Sequence, residues 1–222
     1  MKTGLVKTGP VAFRHVIWDL DGTLLDTYPA TDAALAAALS GLGYQVTPEA
    51  LRPLTRITLQ HATLQAAAQS GLSIEAIHTA YEREYAVLGQ QFSPAMPGAP
   101  EAMRAVRERG GLNLLATHRD REGASWRLEA AGLNMLLDDL LCVSDGYPRK
   151  PDPALFVALL EKHRLAPAEV LAVGDRDLDV RAGQAAGCLT ALLLTPGVTL
   201  ETGADWVLGG LGDLVAVYEE DR

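Results

Sequence analysis

The sequence predicts an α/β protein whose parallel sheet is sandwiched by helices, with one all-helical segment inserted near its start. Three observations predict this. Apolar runs of β type recur along the chain, segments of helical periodicity separate them, and one long stretch interrupts the alternation with helical pattern alone. Strands that alternate with helices favour a parallel sheet, because a parallel neighbour needs a long crossover that a helix supplies.

The first run, Val16 to Trp18, ends at Asp19-Leu20-Asp21, and Gly22 signals a tight turn. Between Asp26 and about Ser93 no strand is legible. Ala- and Leu-rich helical pattern covers Ala30 to Leu42, Ile57 to Ser70 and Ser73 to Leu88, framed by Thr27-Tyr28-Pro29 and by Ser93-Pro94-Ala95-Met96-Pro97-Gly98. Alanine has the highest helix propensity, and sustained heptads with charged flanks are absent, so these helices are expected to pack on one another. The alternation then resumes. Helices are expected over Pro100 to Arg109, Glu122 to Ala131, Pro153 to Arg164 and Asp177 to Ala186, with Gly110, Gly132 and Gly187 as stops. Strands are expected at Leu112 to Ala116, Leu140 to Val143, Val170 to Val173 and Thr190 to Leu194. There is no internal repeat and no low-complexity tract.

Composition bounds the function. A chain of 222 residues can bury a sizeable core, and its 48% apolar content is ordinary for a globular protein. A formal charge of -9 argues against nucleic acid, which is bound through clustered Lys and Arg. No apolar stretch of about 18 residues suggests a membrane span. The basic start, Met1 to Pro10, lacks the apolar middle of a secretory signal and is expected to be a frayed tail. Cys142 and Cys188 show no paired spacing, so they are expected to be buried thiols of a cytoplasmic protein.

Asp19 and Asp21 carry the strongest chemical signal. Side chains at i and i+2 of an extended segment point the same way, here beyond the carboxyl end of a strand, where open α/β sheets bind ligands. Two adjacent carboxylates repel unless a cation or a proton separates them. They suit a divalent-cation site, or a nucleophile beside a proton shuttle. An Asp-rich turn capping a helix is the plainer reading. Lysine occurs only at Lys2, Lys7, Lys150 and Lys162. Lys150, between Arg149 and Pro151, is therefore well placed to hold phosphate and balance the carboxylates.

Asp19-Leu20-Asp21-Gly22-Thr23-Leu24 after an apolar strand resembles the first motif of the haloacid dehalogenase-like (HAD) phosphohydrolases, especially their phosphoglycolate-phosphatase-like branch. Leu114-Leu115-Ala116-Thr117 resembles the second motif, Arg149-Lys150-Pro151-Asp152-Pro153 the third, and Val173-Gly174-Asp175-Arg176-Asp177-Leu178-Asp179 the fourth. The four occur in the family's order and span most of the chain. The resemblance implies a Rossmann-like core of residues 1–26 and 94–222 with a cap domain over 27–93. It implies a phosphatase of small phosphorylated metabolites, with phosphoglycolate as the first substrate expected; charge and hydropathy leave neither nucleic acid nor membrane as partner, and the chain is expected to be a monomer or homodimer.

In this reading Asp19 attacks phosphorus, and Asp21 protonates the leaving oxygen and later activates water. Magnesium is the expected metal, because it prefers carboxylate and water oxygens and bridges protein to phosphate. The resemblance makes Asp19, the Asp21 main-chain carbonyl and Asp175 its ligands, with Asp179 orienting a metal-bound water or Lys150. A helix-dipole role is the other reading of Asp179. Thr117, His118 and Lys150 are expected to bind phosphate. His118 and Arg119 depart from the small or amide residues usual in the family. His118 is read as donating to phosphate or using only its main chain, and Arg119 as binding a second anion or forming a surface ion pair. Arg52, Arg56 and His61 are candidate anion readers of the insert, Arg56 foremost, although Pro53-Leu54-Thr55-Arg56 replaces the glycine-containing loop common there.

Other classes are weighed on the same residues. A haloacid dehalogenase does not need Asp21 with Asp175, and a Schiff-base phosphonate hydrolase needs a lysine that the insert lacks. A sugar-phosphate mutase keeps all four motifs and remains an alternative. A non-catalytic phosphometabolite-binding protein is the last class, and the intact Asp19, Asp21, Lys150 and Asp175 argue against it.

Overall fold

A computed structural model describes residues 13–88, 93–196, 198 and 201–220. The expected tail, Met1 to Pro10, lies outside them. The chain divides into two compact units, one of Met1–Leu25, Ala95–Leu194 and Thr199–Arg222, the other of Asp26–Pro94 with Thr195–Val198.

The first unit holds a parallel sheet of β1 (His15–Trp18), β2 (Asn113–Thr117), β3 (Asp139–Cys142), β4 (Val170–Gly174), β5 (Leu189–Leu193) and β6 (Trp206–Leu208). Their order is β3-β2-β1-β4-β5-β6, and every described pairing is parallel. In register, Trp18 lies opposite Leu115 on one side and Val173 on the other. The chain crosses β1 to reach β4, so the carboxyl ends of these two strands flank the switch point at which such sheets bind ligands.

The central strands are apolar except at their ends, at His15, Asn113 and Thr117, because both faces are covered. Val16, Trp18, Leu115, Leu171 and Val173 pack with α5 (Ala99–Glu108), α6 (Arg121–Ala130) and α9 (Gly212–Glu220). Ile17, Leu114, Ala116, Val170 and Ala172 pack with α7 (Ala154–His163) and α8 (Asp177–Ala185) on the opposite face. One polar network pins the start of β2. The buried Asn113 accepts from Trp18 Nε1 at 2.9 Å and donates to the Met103 and Leu136 carbonyls at 2.8 and 3.0 Å.

The second unit is helical among its described residues: α1 (Tyr28–Gly41), α2 (Pro48–Thr55), α3 (Leu59–Ser70) and α4 (Ile74–Leu88). Small residues such as Ala34, Ala38, Ala62 and Ala66 let these helices approach around Leu35, Leu39, Leu51 and Ile77. At its junction with the sheet unit, Leu25 pairs antiparallel with Ala95. Asp26 N donates to Pro94 O at 2.9 Å, and Met96 N to Leu24 O at 2.8 Å.

Three elements escape the sequence reading. α2 carries Pro53 inside it, yet Thr47 caps its amino end and Pro48 occupies its first turn. β6 has three residues and a half-exposed Val207, too short for a periodicity to register. α9 begins in a glycine-rich stretch that reads as loop.

Candidate active site

Asp19 is the first residue beyond β1. Its N–H extends the ladder to Val173 O at 2.9 Å, so the sheet itself fixes its main chain. The chain then turns through Gly22, which adopts φ 79°, a conformation that side chains disfavour. Gly22 N donates to Leu25 O at 2.8 Å and Leu25 N to Leu20 O at 2.9 Å, closing the turn.

Asp19 is 3% exposed. Its Oδ1 accepts from Lys150 Nζ at 2.5 Å, and the same ammonium donates to Asp179 Oδ1 at 2.6 Å. Burial pushes the Asp19 carboxyl up to about 6 against the pull of Lys150, and the like charge of Asp179 adds to the rise. Burial opposes the charge of Lys150 as well, but Asp179 and Asp19 outweigh it and hold the ammonium above the usual lysine range. The two shifts agree physically, because one cation shared between two buried carboxylates cannot fully compensate either.

Asp175 and Asp179 come from the junction of β4 and α8. Gly174 ends the strand, and a Cβ there would lie 2.2 Å from Asp179 Cβ, so glycine is what admits the Asp179 side chain. Asp179 Oδ2 accepts from Arg176 N at 3.2 Å, which ties it to the first turn of α8. Carboxylate oxygens of Asp19, Asp175 and Asp179 lie within 4.8 Å of one another, all three residues buried. Asp19 Oδ2 is buried and finds no hydrogen-bond partner among the described residues. Three buried acids with carboxylate oxygens this close are a donor set that fits a hard divalent cation.

The other predicted residues lie at or just after the ends of β1 and β2. Thr117 closes β2, is buried, and accepts from Arg119 N through Oγ1 at 3.2 Å. His118 Nε2 accepts from Lys150 N at 2.7 Å. Burial, followed by the charges of Lys150, Arg176 and Arg149, pushes the His118 imidazole down to about 4. Asp21 stands apart from the buried acids. It is half-buried, and Arg119 forks onto its carboxylate through Nε at 2.9 and 2.8 Å and Nη2 at 2.6 Å.

Two residues take positions the sequence left open. Arg119 is an ion-pair partner of Asp21, and the pair is part-buried rather than on the surface as expected. Arg176, not singled out, places its guanidinium 4.0 Å from Asp19 Oδ2 and 3.8 Å from oxygens of both Asp175 and Asp179. Its signal was position: it is the one basic residue inside the fourth motif.

Arg56 belongs to the helical unit and faces inward. It is 7% exposed, forks onto Asp32 at 3.0 Å through both Nη atoms, and lies 3.9 Å from the centre of the Tyr28 ring. Thr55 Oγ1 donates to the same carboxylate. Reading a substrate anion would require this buried fork to open. Arg52 is 51% exposed and 3.7 Å from Asp32, and Thr58 Oγ1 caps α3 by accepting from the His61 N–H at 2.9 Å.

Comparisons with known proteins bear on the family and the fold. The family model for haloacid dehalogenase-like hydrolases matches residues 13–187. The phosphoglycolate phosphatase of Vibrio parahaemolyticus serotype O3:K6 is 30% identical over 186 residues, covering 79% of this chain and 81% of its own. That of Mannheimia succiniciproducens is 28% identical over 221 residues, covering 92% of this chain and 98% of its own. A HAD family hydrolase from Deinococcus radiodurans R1, solved with bound phosphate and sodium, matches with a TM-score of 0.78 at 22% identity, across 95% of this chain and 96% of that one. At that identity the likeness is one of fold. No helix among the described residues is long and apolar enough to cross a membrane.

Proposed function

This chain belongs to the haloacid dehalogenase-like hydrolase family and is a phosphoric monoester hydrolase, and we propose that it hydrolyses a small phosphorylated metabolite through Asp19. The observation that carries the proposal is the asymmetry of Asp19: Oδ1 is held by Lys150, whereas Oδ2 is buried without a hydrogen-bond partner among the described residues. A nucleophile needs one oxygen fixed and the other available.

In the first step an Asp19 oxygen bonds to phosphorus while the bond from phosphorus to the leaving oxygen breaks, and Asp21 gives that oxygen its proton. In the second step water attacks the aspartyl phosphate, Asp21 takes a proton from the water, and inorganic phosphate leaves with Asp19 regenerated. Asp21 must release the Arg119 fork to exchange a proton, so that ion pair opens during turnover. The Lys150 ammonium, the Thr117 hydroxyl and the His118 main-chain N–H supply positive density around the phosphoryl oxygens. Magnesium held by Asp19, the Asp21 carbonyl and Asp175 would neutralise further charge on the same oxygens, with Asp179 keeping Lys150 in place.

The catalytic core is assigned to residues 1–26 and 94–222, and substrate choice to a cap formed by residues 27–93. Phosphoglycolate is the first substrate proposed, supported by the names of the curated relatives. The two cysteines are buried free thiols, which suits a reducing cytoplasm. Phosphate release from a panel of small phosphoesters, with magnesium and with a chelator, tests the proposal against Asp19→Asn as the blank. Metal-dependent release by wild type alone supports it. Conversion of a sugar phosphate to its isomer without net release would favour a mutase.

A further inference from the structure

We propose that His118 is a positioning residue for Lys150: its imidazole Nε2 accepts the Lys150 main-chain N–H and thereby aims the ammonium between Asp19 and Asp179. The inference rests on the phosphatase reading for its kinetic consequence, but its geometry stands independently of it.

Lys150 lies in a segment that no ladder secures. Residues 147–153 form neither helix nor strand. Pro148, Pro151 and Pro153 have no N–H to donate, and the main-chain bond described inside the segment is Asp152 N to Arg149 O at 3.1 Å. Lys150 nonetheless has a fully buried ammonium with two partners at 2.5 and 2.6 Å, which demands a fixed main chain. His118 meets that demand. It follows directly on Thr117, the last residue of a strand paired on both sides, and reaches Lys150 N at 2.7 Å.

The chemistry of the contact is specific. An imidazole nitrogen accepts from an amide only when it carries no proton, so His118 is neutral with its hydrogen on Nδ1. The depressed pKa of this imidazole agrees with a neutral ring. Gln carries its side-chain oxygen about where His carries Nε2, whereas Asn matches the nearer Nδ1. Reach therefore separates the conservative variants: Gln can accept the Lys150 N–H, and Asn cannot.

The test combines kinetics with nitrogen NMR of the full chain. In wild type, two-bond correlations are expected to show the Nδ1–H tautomer, with the Lys150 amide proton shifted downfield. His118→Ala is expected to move that amide upfield and to lower kcat for phosphoester hydrolysis roughly ten- to a hundredfold, the scale of a misaligned catalytic group, with KM little changed. His118→Gln is expected to recover most of kcat and the amide shift, and His118→Asn to recover neither. An Nε2–H tautomer, an unmoved amide in the Ala variant, or equal kcat in Asn and Gln overturns the proposal. If wild type hydrolyses no phosphoester, the phosphatase reading fails, and the tautomer and amide shift decide the positioning role by themselves.

Discussion

Arg119 and Asp21 form a forked ion pair, with Nε and Nη2 of the arginine both within 2.9 Å of the carboxylate, although 98 residues separate them in sequence. The residue proposed as proton donor is thus tied to the end of β2. Asp21→Asn is expected to lower kcat for alkyl phosphates by about 10²–10⁴-fold, the usual contribution of a positioned acid. The loss in the first step should be much smaller for p-nitrophenyl phosphate, whose leaving oxygen departs without a proton. Values of kcat/KM on both substrates, which report phosphoryl transfer to Asp19 rather than the shared hydrolysis that follows, check this, and equal losses in kcat/KM would mark a structural defect instead.

Gly174→Ala is expected to remove activity and to destabilise the fold by about 1–3 kcal/mol, the range for overpacking. The added Cβ would overlap Asp179 Cβ, which sits 2.2 Å from its position, and so displace a carboxylate that Lys150 needs. Gly183→Ala serves as the control. Its Cβ would meet Ala172 Cβ at 2.6 Å, so stability should fall while kcat of the folded protein holds. Urea denaturation alongside turnover separates the two.

His118 makes stability depend on pH. Its folded pKa of about 4 lies below the ordinary 6.5, so the unfolded chain binds the proton more readily. The neutral-ring contribution is complete above about pH 6.5 and is lost as pH falls through about 4. Lys150, Arg176 and Arg149 oppose protonation there, and Asp179 favours it. Asp19, raised to about 6 from 3.8, acts in the opposite sense: its contribution is present below about pH 4 and lost as pH rises through 6. Wild type should therefore show a shallow profile between pH 4 and 6.5, and His118→Gln should keep only the Asp19 slope. Denaturation midpoints across that range read the difference.

Asp32→Ala is expected to destabilise the protein by about 3–5 kcal/mol, because it strands the Arg56 guanidinium in a buried site. Exchanging Asp32 and Arg56 together for apolar residues of similar volume should cost far less. Thermal and urea unfolding of the single and double variants checks both. A rise in KM for an anionic substrate in Arg56→Met, at unchanged stability, would instead give Arg56 a recognition role.

The reach of the sequence follows from what each signal needs. β1, β2 and β4 were legible because strands covered on both faces must be continuously apolar. Asp19, Asp21 and Lys150 stood out because paired acids at a strand end and a scarce lysine are unusual without a task, whereas Asp175 and Asp179 were legible only through the resemblance of residues 173–179 to the family's fourth motif. Arg176 did not, since an arginine among aspartates reads as a solvated charge until its guanidinium is seen beside three carboxylates. The partners of His118 and Arg119 were hidden for a simpler reason: they lie 32 and 98 residues away, and pairing at such range depends on the sheet order that brings loop tips together.

The junction of the helical segment has a consequence for how freely that segment can change. Leu25 and Ala95 are already paired, with Leu24 and Met96 bonded beside them, so the stretch from Asp26 to Pro94 starts and ends at one point of the sheet unit. Closure there depends weakly on what lies between, about 0.6 kcal/mol for each doubling of a flexible segment's length. The contiguous stretch from Asp26 to Pro94 is in effect a cassette. It can be shortened, lengthened or exchanged without re-registering a strand, so the carboxylates and the lysine keep their places at the strand ends.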